Sequence, residues 1–132
     1  MKYSVICDID GVILTCPHWQ EIEDFYAHIS ECVPIDWAVH LVNALHNNGI
    51  NIIFLTARDA KCRGYTKYQL QQLFDFPIHL YMRTNGDLRE DYEIKEDYIN
   101  MFMQQYNILF CIDDNVKNCE MYRKHGLTVI QV

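Results

Sequence analysis

Five short apolar runs, at residues 3–9, 51–57, 78–83, 108–113 and 127–132, recur along the chain with helix-period segments between them. They are rich in branched and aromatic residues, the pattern of strands buried on both faces. Residues 36–47 read as a helix, with Trp37, Leu41, Val42 and Leu45 on one side and Gly49 beyond its end. Residues 65–74, 93–106 and 116–125 read as helices too, the last closed by Gly126. This alternation predicts an α/β fold over residues 1–132, a three-layer domain with helices on both faces of a central parallel five-stranded sheet. The insert at 12–34 is too long for an ordinary βα loop and too short for a second domain. With Trp19, Phe25 and Tyr26 it is expected to form a small helical flap, leaving minimal or no cap.

Half of the residues are hydrophobic and 22% are charged, which excludes a disordered chain. The net charge of -7 argues against a passive binder of phosphate backbones, which needs a basic stripe. It leaves a nucleic-acid substrate open, because carboxylates that bind a metal count as negative charge. No run reaches the length of a membrane span, and Asp8 and Asp10 interrupt any signal-peptide pattern. A cytoplasmic protein with no membrane contact is expected, and no protein partner is evident. Of the six cysteines, Cys7 and Cys111 lie in apolar runs, and no CxxC occurs. All six are expected to be reduced, as small hydrophobes.

Ligands of open α/β sheets bind beyond the carboxyl ends of the strands. Those ends carry Asp8 and Asp10, then Thr56 and Arg58, then Asp113 and Asp114. Four carboxylates gathered at one edge cannot all stay ionised without a cation, and oxygen ligands suit Mg²⁺. The hydroxyl of Thr56 and the charges of Arg58 and Lys95 would then serve an anionic group, most simply a phosphate. Each piece has a plainer reading when taken alone. Asp8 to Gly11 would make a solvated surface turn, and Asp113-Asp114 would cap a helix. Asp91 and Lys95, four apart, would form a surface pair. Their combination in order carries the signal.

The order Asp8-Ile9-Asp10-Gly11, Thr56-Ala57-Arg58, Lys95, Asp113-Asp114 resembles the haloacid dehalogenase (HAD) superfamily of phosphotransferases, over nearly the whole chain. Residues 87–132 look most like the phosphatase domain of phage polynucleotide kinase/3′-phosphatases. The shared features are Arg89-Glu90-Asp91 leading to Lys95, Ile112-Asp113-Asp114 ending a strand, and Gly126 before a last strand ending Ile130-Gln131-Val132. Val12 stands where Thr is usual, and Trp19 stands near the place of an Arg that the phage enzymes carry in the insert. The sequence contains no GxxxxGK[ST] kinase motif. Receiver domains gather similar residues around Mg²⁺, but their adjacent acidic pair comes first and a single Asp later.

The resemblance implies a Rossmann-like HAD fold and a Mg²⁺-dependent phosphatase. Asp8 is then the nucleophile that forms an aspartyl-phosphate, and Asp10 protonates the leaving oxygen. Thr56 and Lys95 hold the phosphoryl group. Asp8, Asp10 (through its carbonyl) and Asp114 bind the metal, Asp113 stands behind them, and Asp91 orients Lys95. Arg58 and Arg89 hold the rest of the substrate, with Arg63, Tyr65 and Trp19 as further candidates. Without a large cap the site suits a bulky phosphorylated substrate, with a 3′-phosphorylated nucleic-acid end as first choice. A small-molecule phosphatase or nucleotidase, using the insert as its lid, is one alternative. A non-catalytic HAD-like binding module is another.

Overall fold

The chain runs β1 (Lys2–Cys7), β2 (Leu14–Thr15), α1 (Ile22–Ala27), β3 (Val33–Pro34), α2 (Asp36–Asn47), β4 (Asn51–Asp59), α3 (Arg63–Gln71), β5 (His79–Arg83), α4 (Asp91–Gln105), β6 (Tyr106–Asp113), α5 (Val116–Lys124), β7 (Val129–Gln131). The structure is a computed structural model that describes residues 1–16 and 22–132, with side chains from residue 25 in the second stretch. Trp19 lies outside the described residues.

Successive side chains of a strand point to opposite faces, so each apolar run feeds two cores. Val5 and Cys7 of β1, with Ile52 and Phe54 of β4, point to one face, where Ala38 and Val42 of α2 and Leu70 of α3 cover them. Ile6, Ile53, Leu55 and Cys111 point to the other, against Ile99 and Phe102 of α4 and Met121 and Tyr122 of α5. The central sheet is five-stranded and parallel, in the order β5-β4-β1-β6-β7, so the expected architecture is the observed one. The chain moves outward from β1 through β4 to β5, then crosses back to β6 on the opposite side of β1. That reversal opens a crevice beyond the ends of β1 and β6, the place where such sheets take ligands.

Three expectations need correction. Trp37 is 47% exposed and Ala38 is buried in its place, whereas Val42 is buried and Leu41 and Leu45 pack against the same core, so only the first residue of the expected stripe falls outside it. The insert is more than a helical flap: β2 and β3 pair as an antiparallel ribbon, with α1 and a 3-10 turn over Ile29–Glu31 between them. Cys16 and Cys32 form a disulfide, whereas Cys7, Cys62, Cys111 and Cys119 are free. The physical reason is register. Leu14 lies opposite Pro34 and Thr15 opposite Val33, so the next step of the ribbon sets Cys16 across from Cys32. No described helix is long and apolar enough to cross a membrane.

Candidate active site

β1 ends at Cys7, and the Asp8 N–H still donates to the Ile112 carbonyl of β6 at 3.0 Å, so the ladder itself aims Asp8 at the crevice. The chain then folds tightly back. The carbonyl of Ile9 accepts from the N–H groups of Val12, Ile13 and Leu14, and Gly11 takes φ 85°, a left-handed conformation that suits glycine. A Cβ on Gly11 would lie 2.0 Å from Oδ2 of Asp114, so the missing side chain is the space that this carboxylate fills.

Three carboxylates, from Asp8, Asp113 and Asp114, offer ligand atoms within 4.8 Å of one another. Asp113 is fully buried, and protein donors occupy its carboxylate. It accepts from Lys95 Nζ at 2.8 Å, from Tyr122 Oη at 2.9 Å, from the Asn118 amide and from the Asn115 N–H. Asp114 is exposed and turns toward Asp8. Neither aspartate caps α5. That duty falls to Asn115, whose side chain accepts from the Asn118 N–H at 2.9 Å.

Lys95 arrives from α4 with 1% exposure, donating to Asp8 at 2.9 Å as well as to Asp113. Burial alone would pull its pKa down, but the negative charges of Asp8 and Asp113 outweigh this and hold it well above its ordinary value. Burial also disfavours the charged form of Asp113, yet Lys95 and the donated hydrogen bonds keep that carboxyl below the usual range. Asp8 fares differently. Burial pushes it well up, and Asp113, Asp10 and Asp114 add to the rise against the pull of Lys95. Asp114, exposed on one side and packed against Gly11 on the other, is raised by partial desolvation. Two oxygen donors pushed toward their neutral forms, facing one another beside a third carboxylate, fit a hard divalent cation such as Mg²⁺. Asp8 and Asp114 would hold it, and it would neutralise charge on a bound phosphate.

Thr56, at 1% exposure near the end of β4, accepts from the Arg58 N–H at 3.1 Å, leaving its own proton for an acceptor in the crevice. Arg58 is 3% exposed and grips Asp10 with two parallel bonds, Nε to Oδ2 at 2.9 Å and Nη2 to Oδ1 at 2.8 Å. Its Nη1 donates to Thr66 and Gln69 of α3. The sequence reading gave Arg58 to the substrate body; its guanidinium is committed to Asp10. The expected pairing of Asp91 with Lys95 is likewise absent. Asp91 sits at the start of α4 and pairs with Arg83 at 2.6 Å, because Lys95, one turn on, points into the protein.

The crevice widens into a cavity of about 900 Å³. Thr15, Cys16, Phe25 and Tyr26 of the insert line it, together with Leu88, Arg89 and Val116. Arg89 stands at this rim, tied to Asp87 at 3.0 Å and Asp97 at 2.8 Å. Arg63 and Tyr65 do not line the cavity, and Arg63 donates to the Leu80 carbonyl. The sequence reading missed Lys61, Arg83 and Lys117, which add positive charge to the lining. Their position, Arg83 closing β5 and Lys61 and Lys117 a few residues past β4 and β6, was the available signal. It missed Tyr122 and Asn118 as well; these act from inside α5 and leave no motif.

Residues 2–132 match the family model described as the polynucleotide kinase PNKP phosphatase domain. A chain in the structure of the Pnkp1/Rnl/Hen1 RNA repair complex aligns over 99% of this chain with a TM-score of 0.84 and 23% identity. A second structure of the Pnkp1/Rnl/Hen1 complex aligns over 100% of it, with a TM-score of 0.86 and 23% identity. The chain spans only 42% and 45% of those two chains. The class C acid phosphatase from Bacillus anthracis shares the fold at a TM-score of 0.59 and 12% identity, over 98% of this chain and 65% of that one. No curated protein matches. Fold and site together define a phosphatase of the HAD type. The chain belongs to the family of polynucleotide kinase PNKP phosphatase domains.

Proposed function

We propose that this domain hydrolyses the 3′-phosphate of nucleic-acid ends, with Mg²⁺ and through an aspartyl-phosphate on Asp8. The observation that carries the reading is Asp8 itself, at the mouth of β1, with its carboxylate 2.9 Å from a buried ammonium and open to the cavity. Phosphate monoester hydrolysis is very slow unaided, so the site must supply large electrostatic stabilisation. Lys95 holds the Asp8 oxygen and offers charge to the incoming phosphoryl group. Thr56 donates its hydroxyl proton to a phosphoryl oxygen. Asp10, fixed in orientation by Arg58, protonates the departing sugar oxygen as the bond from Asp8 to phosphorus forms. It then takes a proton from the water that releases phosphate. Asp114 is the preferred metal ligand over Asp113, whose carboxylate is already occupied by Lys95, Tyr122 and Asn118.

The substrate assignment leans on the rim. Lys61, Arg83, Arg89 and Lys117 line the cavity of a protein of net charge -7, with Arg83 paired to Asp91, Arg89 to Asp87 and Asp97, and Lys117 to Glu90, so a phosphate backbone at the rim would compete with these carboxylates for the same cations. Asp8→Asn is expected to abolish turnover. Asp10→Asn is expected to lose less on an aryl phosphate, whose leaving group needs little protonation, than on a sugar phosphate. Substantial activity in a folded Asp8→Asn variant would overturn the nucleophile. For the substrate, kcat/KM on a 3′-phosphorylated oligonucleotide is compared with the matching 3′-mononucleotide at low and moderate salt. A preference for the oligonucleotide that fades with salt is expected. Equal rates hand the reading to a small-molecule phosphatase.

A further inference from the structure

We infer that the Cys16–Cys32 bond is a redox control on Asp10, set by a dithiol or disulfide from the surroundings. The bond closes the ribbon beside the reacting end of the site. Sγ of Cys16 lies 3.3 Å from Oδ1 of Asp10, and Nη2 of Arg58 lies 3.9 Å from Sγ of both Cys16 and Cys32. The guanidinium that grips Asp10 is therefore packed against the disulfide on one side, with the Phe25 ring 5.3 Å from its Cζ.

Opening the bond needs two electrons and two protons. A thiolate of the dithiol attacks Sγ of Cys32, the more accessible sulfur, because Cys16 is 8% exposed and Cys32 is half-buried. The sulfur–sulfur bond breaks, and Cys16 leaves as a thiolate that takes up a proton. The second thiol of the reagent then displaces Cys32 as a thiol and ends as the reagent's own disulfide. Two unbonded sulfurs must stand roughly 1.5 Å further apart than bonded ones. A shift of Cys16 Sγ toward Asp10 presses on the Arg58 grip, and a shift of Cys32 Sγ moves the second sulfur against which the same guanidinium packs.

The described part of the insert has other anchors. Tyr26 Oη accepts from the Asp59 N–H at 2.8 Å, and Gln69 donates to the Ile29 carbonyl at 2.9 Å. Reduction therefore acts locally, on how Arg58 and Asp10 are held, rather than by unfolding the insert. In a reducing compartment a bond of this kind is transient and suited to sensing.

This inference rests on the proposed role of Asp10 as proton donor, and its signature is dependence on the leaving group. Protein treated with oxidised glutathione is compared with protein treated with dithiothreitol, both with Mg²⁺, on a 3′-phosphorylated oligonucleotide and on p-nitrophenyl phosphate. Alkylation and mass spectrometry count the thiols: four in the oxidised form, six in the reduced form. The reduced form is expected to lose about tenfold or more in kcat on the oligonucleotide and much less on the aryl phosphate. The Cys16→Ser/Cys32→Ser double variant should behave as the reduced form and ignore dithiothreitol. Equal rates in the two forms, equal losses on both substrates, or six thiols after oxidised glutathione would overturn the redox control while leaving the proposed reaction standing. Absence of activity in both forms on both substrates would overturn the proposed reaction, and the control with it.

Discussion

Gly11 shows how one residue admits a functional group. Its left-handed backbone and the 2.0 Å approach of Asp114 are separate demands, and only glycine meets both. Gly11→Ala is expected to cost about 1–2 kcal/mol from the backbone alone, and more from the clash. Gly49 is the control: its φ is 83°, but a Cβ there meets nothing within 4 Å. Gly49→Ala should therefore show the backbone cost without loss of Mg²⁺ binding, whereas Gly11→Ala should lose both stability and Mg²⁺ binding. Calorimetric Mg²⁺ titration and thermal melts of the two variants check this. Equal Mg²⁺ affinity in both would remove Asp114 from the metal site.

At the scale of elements, α4 and α5 deliver charge rather than merely covering the sheet. Lys95 from α4 and Tyr122 from α5 meet on the buried Asp113 at the end of β6, tying two helices and two strands to one carboxylate. Tyr122→Phe keeps the ring in its core cluster and removes only the hydroxyl donor. The expected loss is about 1–2 kcal/mol in denaturant unfolding, the usual effect of taking one donor from a buried charged acceptor. A variant as stable as the parent would mean that Lys95 and Asn118 satisfy Asp113 unaided.

For the whole molecule, the acidic site sets a pH dependence with a definite sign. Asp8, by burial, and Asp114, by partial desolvation, are raised in the folded protein, so the folded state binds more protons at these groups than the unfolded one. Metal-free stability from these two groups therefore falls as pH rises from the ordinary carboxylate range through their raised values. A divalent cation reverses the penalty by pairing with the ionised forms. The increase in Tm on adding Mg²⁺ should consequently be larger at about pH 8 than at about pH 5, where protons compete for the same oxygens. Differential scanning fluorimetry with Mg²⁺ or with chelator measures it. An increase that is larger at the acidic pH would contradict this assignment of the buried charges.

Strand and helix alternation was legible from the chain alone, because burial on both faces writes itself into apolar runs and helical periods. Asp8, Asp10, Thr56, Asp113 and Asp114 were legible for a related reason: strand ends in such a sheet point one way, so order along the chain implies nearness in space. The partners of side chains were not legible. Lys95 serves Asp8 and Asp113, and Asp91 serves Arg83, because a residue one turn further along a helix faces a different neighbour. Arg58 turns inward to Asp10, since only packing decides whether a guanidinium ends in solvent or in the core. Cys16 meets Cys32 across a ribbon whose register no local motif announces. Local pattern therefore determined the elements and the edge where they converge. Tertiary structure decided which charges touch there, because those contacts join residues as far apart as Asp8 and Lys95.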